Sequence, residues 1–193
     1  VHLEGGDLLR ITESELLRFG LYVGLDIDAE TVVELQQSAA RSETRVRAAN
    51  MISARPLSRR ELVKKLREKG ADAPDAEAAC DWLEEIGALN DADYAAMLVR
   101  HYSAAGYGEA KLRDELYRRG VPRALWEDAL SKSPNAQEAI ARVIAQKTKG
   151  RSLDEKGRKR LSDMLLRRGF AWRDVRAALA EWDENAAEFD YEE

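Results

Sequence analysis

Apolar residues recur at three- and four-residue spacing over most of the chain, and the pattern itself repeats. Leu62-x-x-x-Leu66-x-x-x-Gly70 returns as Leu112-x-x-x-Leu116-x-x-x-Gly120 and again as Leu161-x-x-x-Leu165-x-x-x-Gly169, with glycine spacings of 50 and 49 residues. Two leucines one turn apart make a core-facing stripe, and the glycine takes the left-handed position that closes a helix. Each glycine follows a cation, Lys69, Arg119 or Arg168, which offsets the negative end of the helix dipole. A short helix is predicted after each glycine, over 76–86, over 122–130 with Pro122 in its first turn, and over 173–182 with Val175, Ala178, Leu179 and Trp182 in register. A longer helix is predicted before each motif. Val46, Ala49 and Ile52 share a stripe that Pro56 interrupts; Ala95, Leu98, Val99 and Tyr102 stripe 91–103; Ala139, Ile140, Val143 and Ile144 stripe 136–147. The expected fold is therefore all-α: three tandem three-helix repeats over 41–89, 90–134 and 135–182, joined as an elongated curved array. The period exceeds the roughly 34 residues of the common helical solenoids, so those are excluded.

Residues 1–40 form a separate N-terminal segment. Gly5-Gly6 between two short apolar runs allows a short β-hairpin. Thr12 and Glu15 have capping-box spacing ahead of a helix that Gly20 closes, and Asp28 is placed to cap a second helix carrying Val32, Leu35 and Ala39. Ser58 and Glu61 repeat the capping box at the first leucine motif.

Charge divides the chain differently. The 193 residues carry 31 basic and 36 acidic groups, 45% apolar residues and a net charge of −5, as in globular proteins. Residues 1–40 hold 2 basic and 8 acidic groups, 41–131 hold 16 of each, 132–182 hold 13 and 6, and 183–193 hold six acidic groups and no basic one. The last stretch is expected to be a disordered acidic tail. The chain starts at Val1 without an initiator methionine, as a fragment of a longer protein would. No stretch has the length of a membrane span or the pattern of a signal peptide, so a cytoplasmic protein without a membrane partner is expected.

Candidate chemistry is sparse. One cysteine and two histidines leave no disulfide and no zinc-type ligand set, and no phosphate-binding glycine loop or nucleophile elbow is present. No cofactor, no metal and no catalytic residue are expected. Cys80 lies on the Ala76, Ala79, Leu83 stripe and reads as a buried small residue; His101 reads as solvated. The basic residues carry the functional question. Arg59, Arg60, Lys64, Lys65 and Arg67 cluster in the first repeat, Lys111 lies in the second, and Arg158, Lys159 and Arg160 lie in the basic stretch of the third. Solvated helix faces account for many such clusters, but the excess of thirteen basic over six acidic groups in 132–182 is more than capping requires. These nine residues are the candidate contacts to an acidic partner.

Three stretches together resemble the RecX family: Ser58-Arg59-Arg60-Glu61-Leu62 with Leu66 and Gly70, Gly87-Ala88-Leu89-Asn90-Asp91-Ala92-Asp93-Tyr94-Ala95, and Gly106-Tyr107-Gly108 followed by Leu112, Leu116 and Gly120. The resemblance covers about 41–182, and residues 1–40 match loosely. It implies a monomeric, non-catalytic regulator that binds the RecA filament on DNA, with weak direct DNA contact, and inhibits its recombinase, ATPase and co-protease activities. The SOS response and DNA repair and recombination would be its setting. The alternatives are a DNA-binding module built on a helix-turn-helix-like pair such as 58–83, and a generic helical scaffold.

Overall fold

Repeated leucine stripes need repeated partners, and the described residues supply them as ten α-helices. The computed structural model describes residues 1, 8–149, 151 and 153–189, the last six of these by their backbone alone. The helices are α1 (Glu13–Arg18), α2 (Ala29–Ala54), α3 (Arg59–Glu68), α4 (Ala73–Glu85), α5 (Asp91–Ala104), α6 (Glu109–Arg118), α7 (Trp126–Ser131), α8 (Ala136–Thr148), α9 (Glu155–Arg167) and α10 (Trp172–Phe189). A 3-10 turn, Arg123–Leu125, leads into α7, where one helix over 122–130 was expected. Pro122 stands ahead of that turn with φ −57°, ψ 134°, outside the helical region.

The chain folds as two units, Val1–Asn90 and Asp91–Glu193. In the first, Leu62 and Leu66 of α3 pack with Ala48 of α2 and with Ala76, Ala79, Cys80 and Leu83 of α4. In the second unit there are two cores. Ala95, Leu98 and Val99 of α5 meet Leu112 and Leu116 of α6 and Trp126, Ala129 and Leu130 of α7. Ile140, Val143 and Ile144 of α8 meet Leu161 and Leu165 of α9 and Val175, Ala178 and Leu179 of α10. Three separate cores, one for each leucine motif, make this the three-repeat all-α fold. Gly70, Gly120 and Gly169 have φ of +91°, +70° and +88°, so each closes its helix in the left-handed conformation.

The N-terminal elements depart from expectation. Helix α2 runs 26 residues without interruption across the expected boundary at 40/41. Its buried side chains explain why it resembled two helices. Leu35, Ser38 and Ala39 are buried in its first half and Thr44 and Ala48 in its second. From Leu35 to Thr44 the helix turns the buried face through roughly 180°. Ser38 and Ser42 meet Glu15 of α1, and Ala48 packs with α3 and α4. Val46, expected in the core, is 57% exposed.

Helix α1 is fastened to α2 by a buried carboxylate. Thr12 caps α1, and the Glu15 carboxylate accepts hydrogen bonds from the Thr12 N–H (2.7 Å), Ser38 Oγ (2.9 Å) and Ser42 Oγ (2.8 Å). Burial raises the pKa of Glu15, but the bonds from Thr12, Ser42 and Ser38 more than offset it and hold the carboxyl below its ordinary 4.5. A lowered folded-state pKa stabilises above the unfolded value and is lost as pH falls through the folded one. Glu15→Gln is therefore expected to cost about 1–2 kcal/mol at pH 7, with the difference from the parent shrinking below pH 4.5 in urea unfolding.

Gly5 and Gly6, on which the hairpin rested, lie outside the described residues. The Val1 amino group donates to the Leu9 carbonyl (2.8 Å) and the Leu9 N–H to the Val1 carbonyl (2.9 Å). At the other end, α10 continues through Asp183 to Phe189, so the helix does not stop where the acidic tail was expected to begin. Glu184, Ala186, Ala187 and Glu188 have good helix propensity, and no Gly or Pro intervenes.

Candidate interaction surface

Capping sets which way the first basic cluster faces. Ser58 Oγ accepts the Glu61 N–H at 3.1 Å, and the Glu61 carboxylate accepts the Ser58 N–H at 3.4 Å, which starts α3 in a fixed register. With Leu62 and Leu66 fully buried, a rotation of about 100° per residue carries Arg60, Lys64 and Arg67 to the opposite side, and all three are exposed. Lys65 is half-buried on the flank. Lys64 makes one long ion pair, 3.8 Å to Glu68.

Arg59 faces inward instead. Its guanidinium donates to Glu84 at 2.6 Å and to Glu77 and Asp81 at 2.7 Å, three carboxylates on successive turns of α4. Partial burial works against its charge, yet the hydrogen bonds to Asp81 and Glu77 raise its pKa above the ordinary value. Arg59 ties α3 to α4, and its donors are already engaged.

Lys111 and Arg158 are likewise paired within the fold. Lys111 lies on α6, 3.0 Å from Asp114 and 3.2 Å from the buried Glu115, and its pKa is raised by the hydrogen bonds to Asp114 and then Glu115. Arg158 pairs with Asp183 of α10 at 2.7 Å. Asp154 caps α9 by accepting the Gly157 N–H at 2.7 Å, and with Leu161 and Leu165 inside, Lys156, Lys159, Arg160 and Arg167 are turned outward and exposed. Of the nine candidates, Arg60, Lys65, Arg67, Lys159 and Arg160 make no ion pair among the described residues, while Lys156 joins the outward set unforeseen. Apart from the half-buried Lys65, their common position is the solvent side of the second helix of a repeat.

Arg168 does more than occupy a helix end. The Gly108 N–H donates to the Arg168 carbonyl (2.9 Å) and the Ala110 N–H to the Gly169 carbonyl (3.1 Å), so the start of α6 docks directly onto the end of α9. The Arg168 guanidinium reaches the carbonyl of Gly106 (3.3 Å) and stacks 5.7 Å from the Tyr107 ring centre. The approach is too close for side chains at the backbone: a Cβ on Gly108 would sit 2.5 Å from the Gly169 carbonyl, and one on Gly169 would sit 2.5 Å from the Lys111 nitrogen. Gly106-Tyr107-Gly108 was legible as a motif, but the partner sixty residues away was not.

Cys80 is fully buried, and burial pushes its thiol up to about 12, well away from nucleophile chemistry at neutral pH. His101 is exposed on α5 with its ring edge-on to Tyr102. Among the described residues no helix is long and apolar enough to cross a membrane.

Comparison with known proteins bears on the whole arrangement. Residues 45–83 match the family model described as RecX, first three-helix domain, and residues 90–130 match RecX, second three-helix domain. The Regulatory protein RecX of Pseudomonas putida is 37% identical over 125 residues, covering 64% of this chain and 80% of that protein. The Regulatory protein RecX of Xanthomonas axonopodis pv. citri is 33% identical over 137 residues, covering 68% and 83%. Two crystal structures share the fold. One of a regulatory protein RecX superposes with a TM-score of 0.73 at 19% identity over 93% of this chain and 91% of that one. RecX from Lactobacillus salivarius gives 0.64 at 22% identity, covering 75% and 97%.

Proposed function

The chain belongs to the RecX family, and from that premise we propose that it is a non-catalytic regulator that binds the RecA filament on DNA and inhibits its recombinase, ATPase and co-protease activities. The curated relatives carry the name of regulatory proteins. The observation that carries the proposal is the outward basic face of α9, with Lys156, Lys159 and Arg160 exposed and without an ion pair among the described residues. Arg60, Lys64 and Arg67 offer a second outward basic face on α3, with Lys64 3.8 Å from Glu68. Exposed cations that make no close ion pair among the described residues suit an acidic groove or phosphates.

Direct sequence-specific DNA reading is the weaker alternative. In the helix-turn-helix-like pair, the helix that would enter the groove is α4, and its exposed residues include Glu77, Asp81, Glu84 and Glu85. That face repels phosphates. The proposal places this protein in the cytoplasm as a monomer, with DNA contacted weakly.

Titrating the protein into single-stranded DNA alone and then into RecA filaments formed with ATP separates these readings. Retention on filaments together with falling ATP hydrolysis is the expected result, with weak binding to DNA alone. Equal binding to bare DNA and to filaments would instead favour the DNA module.

A further inference from the structure

Repeats built on one plan can be compared position by position, and the first and third are tied in the same way. Arg59 stands eleven residues before Gly70 and pairs at 2.6 Å with Glu84, fourteen after it; Arg158 stands eleven before Gly169 and pairs at 2.7 Å with Asp183, fourteen after it. The α3–α4 and α9–α10 hairpins therefore present corresponding residues on the side marked by that pair. Seven residues after the glycine, the first two repeats place Glu77 and Glu127, each engaged by an arginine of the preceding helix, Arg59 at 2.7 Å and Arg113 at 2.9 Å. The third repeat places Arg176 there, exposed and without an ion pair among the described residues. Three residues after the glycine stand Ala73, Arg123 and Trp172, all exposed, so the packing of a repeat does not call for an aromatic ring.

Trp172 is also unlike the other tryptophans. Trp82 lies against the first core with the Arg45 guanidinium 5.8 Å from its ring, Trp126 is buried and donates its Nε1–H to the Val121 carbonyl at 3.0 Å, and Trp182 packs on the third core. Trp172 is 59% exposed, and its ring has no stacking partner, overlying cation or hydrogen bond among the described residues. Arg176 follows four residues along α10, about 40° away around the helix axis. Arg173, 3.4 Å from Asp174 but with its side chain 91% exposed, stands about 100° from Trp172 on the same flank.

We propose that Trp172, with Arg176 and Arg173, forms a stacking platform for single-stranded nucleic acid: an unpaired base lies on the indole, and the two guanidiniums hold the flanking phosphates. The proposal rests on the functional reading above and deepens it by giving the weak DNA contact a place. Every base has a π-face, so the contact tolerates any sequence but needs a base free of its duplex. A protein docking surface would set such a ring in an apolar patch. On α10 its flank is cationic instead, which is the pairing of aromatic and arginine that single strands use.

The full chain tests this through substitutions that the other repeats already carry at the same position. Trp172→Ala and Trp172→Arg are expected to melt as the parent does. Both are expected to bind a fluorescent oligothymidylate about tenfold more weakly than the parent at low salt, while Trp172→Phe stays within about threefold. Trp172→Arg separates the causes, because it adds a cation and attraction by charge alone would make it bind more tightly. An oligonucleotide of the same length with abasic sites throughout is expected to bind parent and Trp172→Ala alike. Arg176→Glu, which restores the residue of the first two repeats, is expected to weaken binding and flatten its salt dependence. Equal affinity of parent and Trp172→Ala, tighter binding by Trp172→Arg, a parent indifferent to the missing bases, or no oligothymidylate binding at all overturns the proposal. A melt of Trp172→Ala far below the parent's overturns it as well, since the ring would then be a structural element. If any of these occurs while the parent still inhibits RecA, the platform alone is wrong. If the expected differences appear and the parent does not inhibit RecA, the filament reading falls and the platform stands.

Discussion

Gly169→Ala is expected to destabilise the second unit by about 3 kcal/mol or more, whereas the equivalent Gly70→Ala costs the first unit about 1–2 kcal/mol. The two glycines close homologous helices with φ of +88° and +91°, so left-handed strain is common to both. What differs is the surroundings. A Cβ on Gly70 meets nothing within 4 Å, while one on Gly169 falls 2.5 Å from the Lys111 nitrogen and 3.2 Å from its Cα. Backbone atoms cannot rotate away as a side chain can, so the start of α6 has to retreat. Retreat weakens the bonds from Gly108 and Ala110 to the Arg168 and Gly169 carbonyls, each contributing about 0.5–1.5 kcal/mol. Urea unfolding of the two full-length variants measures the difference. Equal losses would mean that the close approach of α6 to α9 contributes nothing to stability.

That pair of glycines also marks the limit of sequence reading here. The motif Leu-x-x-x-Leu-x-x-x-Gly exposed the repeats because the helical period, the capping boxes at Thr12 and Ser58 and the left-handed glycines are local rules, satisfied within a few residues. Docking of Gly108 on Gly169 is not local, and nothing in the composition of 106–108 names its partner. The same limit governs the candidate surface. Counting cations per segment could not separate Arg59, engaged with carboxylates 18 to 25 residues away, from Arg60, its exposed neighbour. One residue along a helix is about 100° of rotation, and that rotation decides whether a guanidinium is a structural tie or an available charge. Helix α2 misled in a related way. Its apolar stripe changes side because α1 and α4 lie on opposite faces, and a change of stripe without a Gly or Pro is a change of partner, not an end of helix.

The distinction between spent and available cations sets the expected functional result. Reversing Lys156, Lys159 and Arg160 to Glu should leave thermal unfolding nearly unchanged, since exposed charges without close partners contribute little to folding. The same reversal should weaken inhibition of RecA-driven ATP hydrolysis by about tenfold or more, because like charges at a contact both slow encounter and oppose docking. Inhibition by the parent should itself fade as salt rises, once the screening length falls below about 8–10 Å. Arg59→Ala is the opposing control. It removes three ion pairs between α3 and α4, each worth about 0.2–1 kcal/mol at a partly exposed site, so stability should drop while inhibition per folded molecule persists. If the triple reversal inhibits like the parent, the face of α9 is merely solvated, and the same reversal at Arg60, Lys64 and Arg67 should then carry the loss, since α3 presents the other face of outward cations.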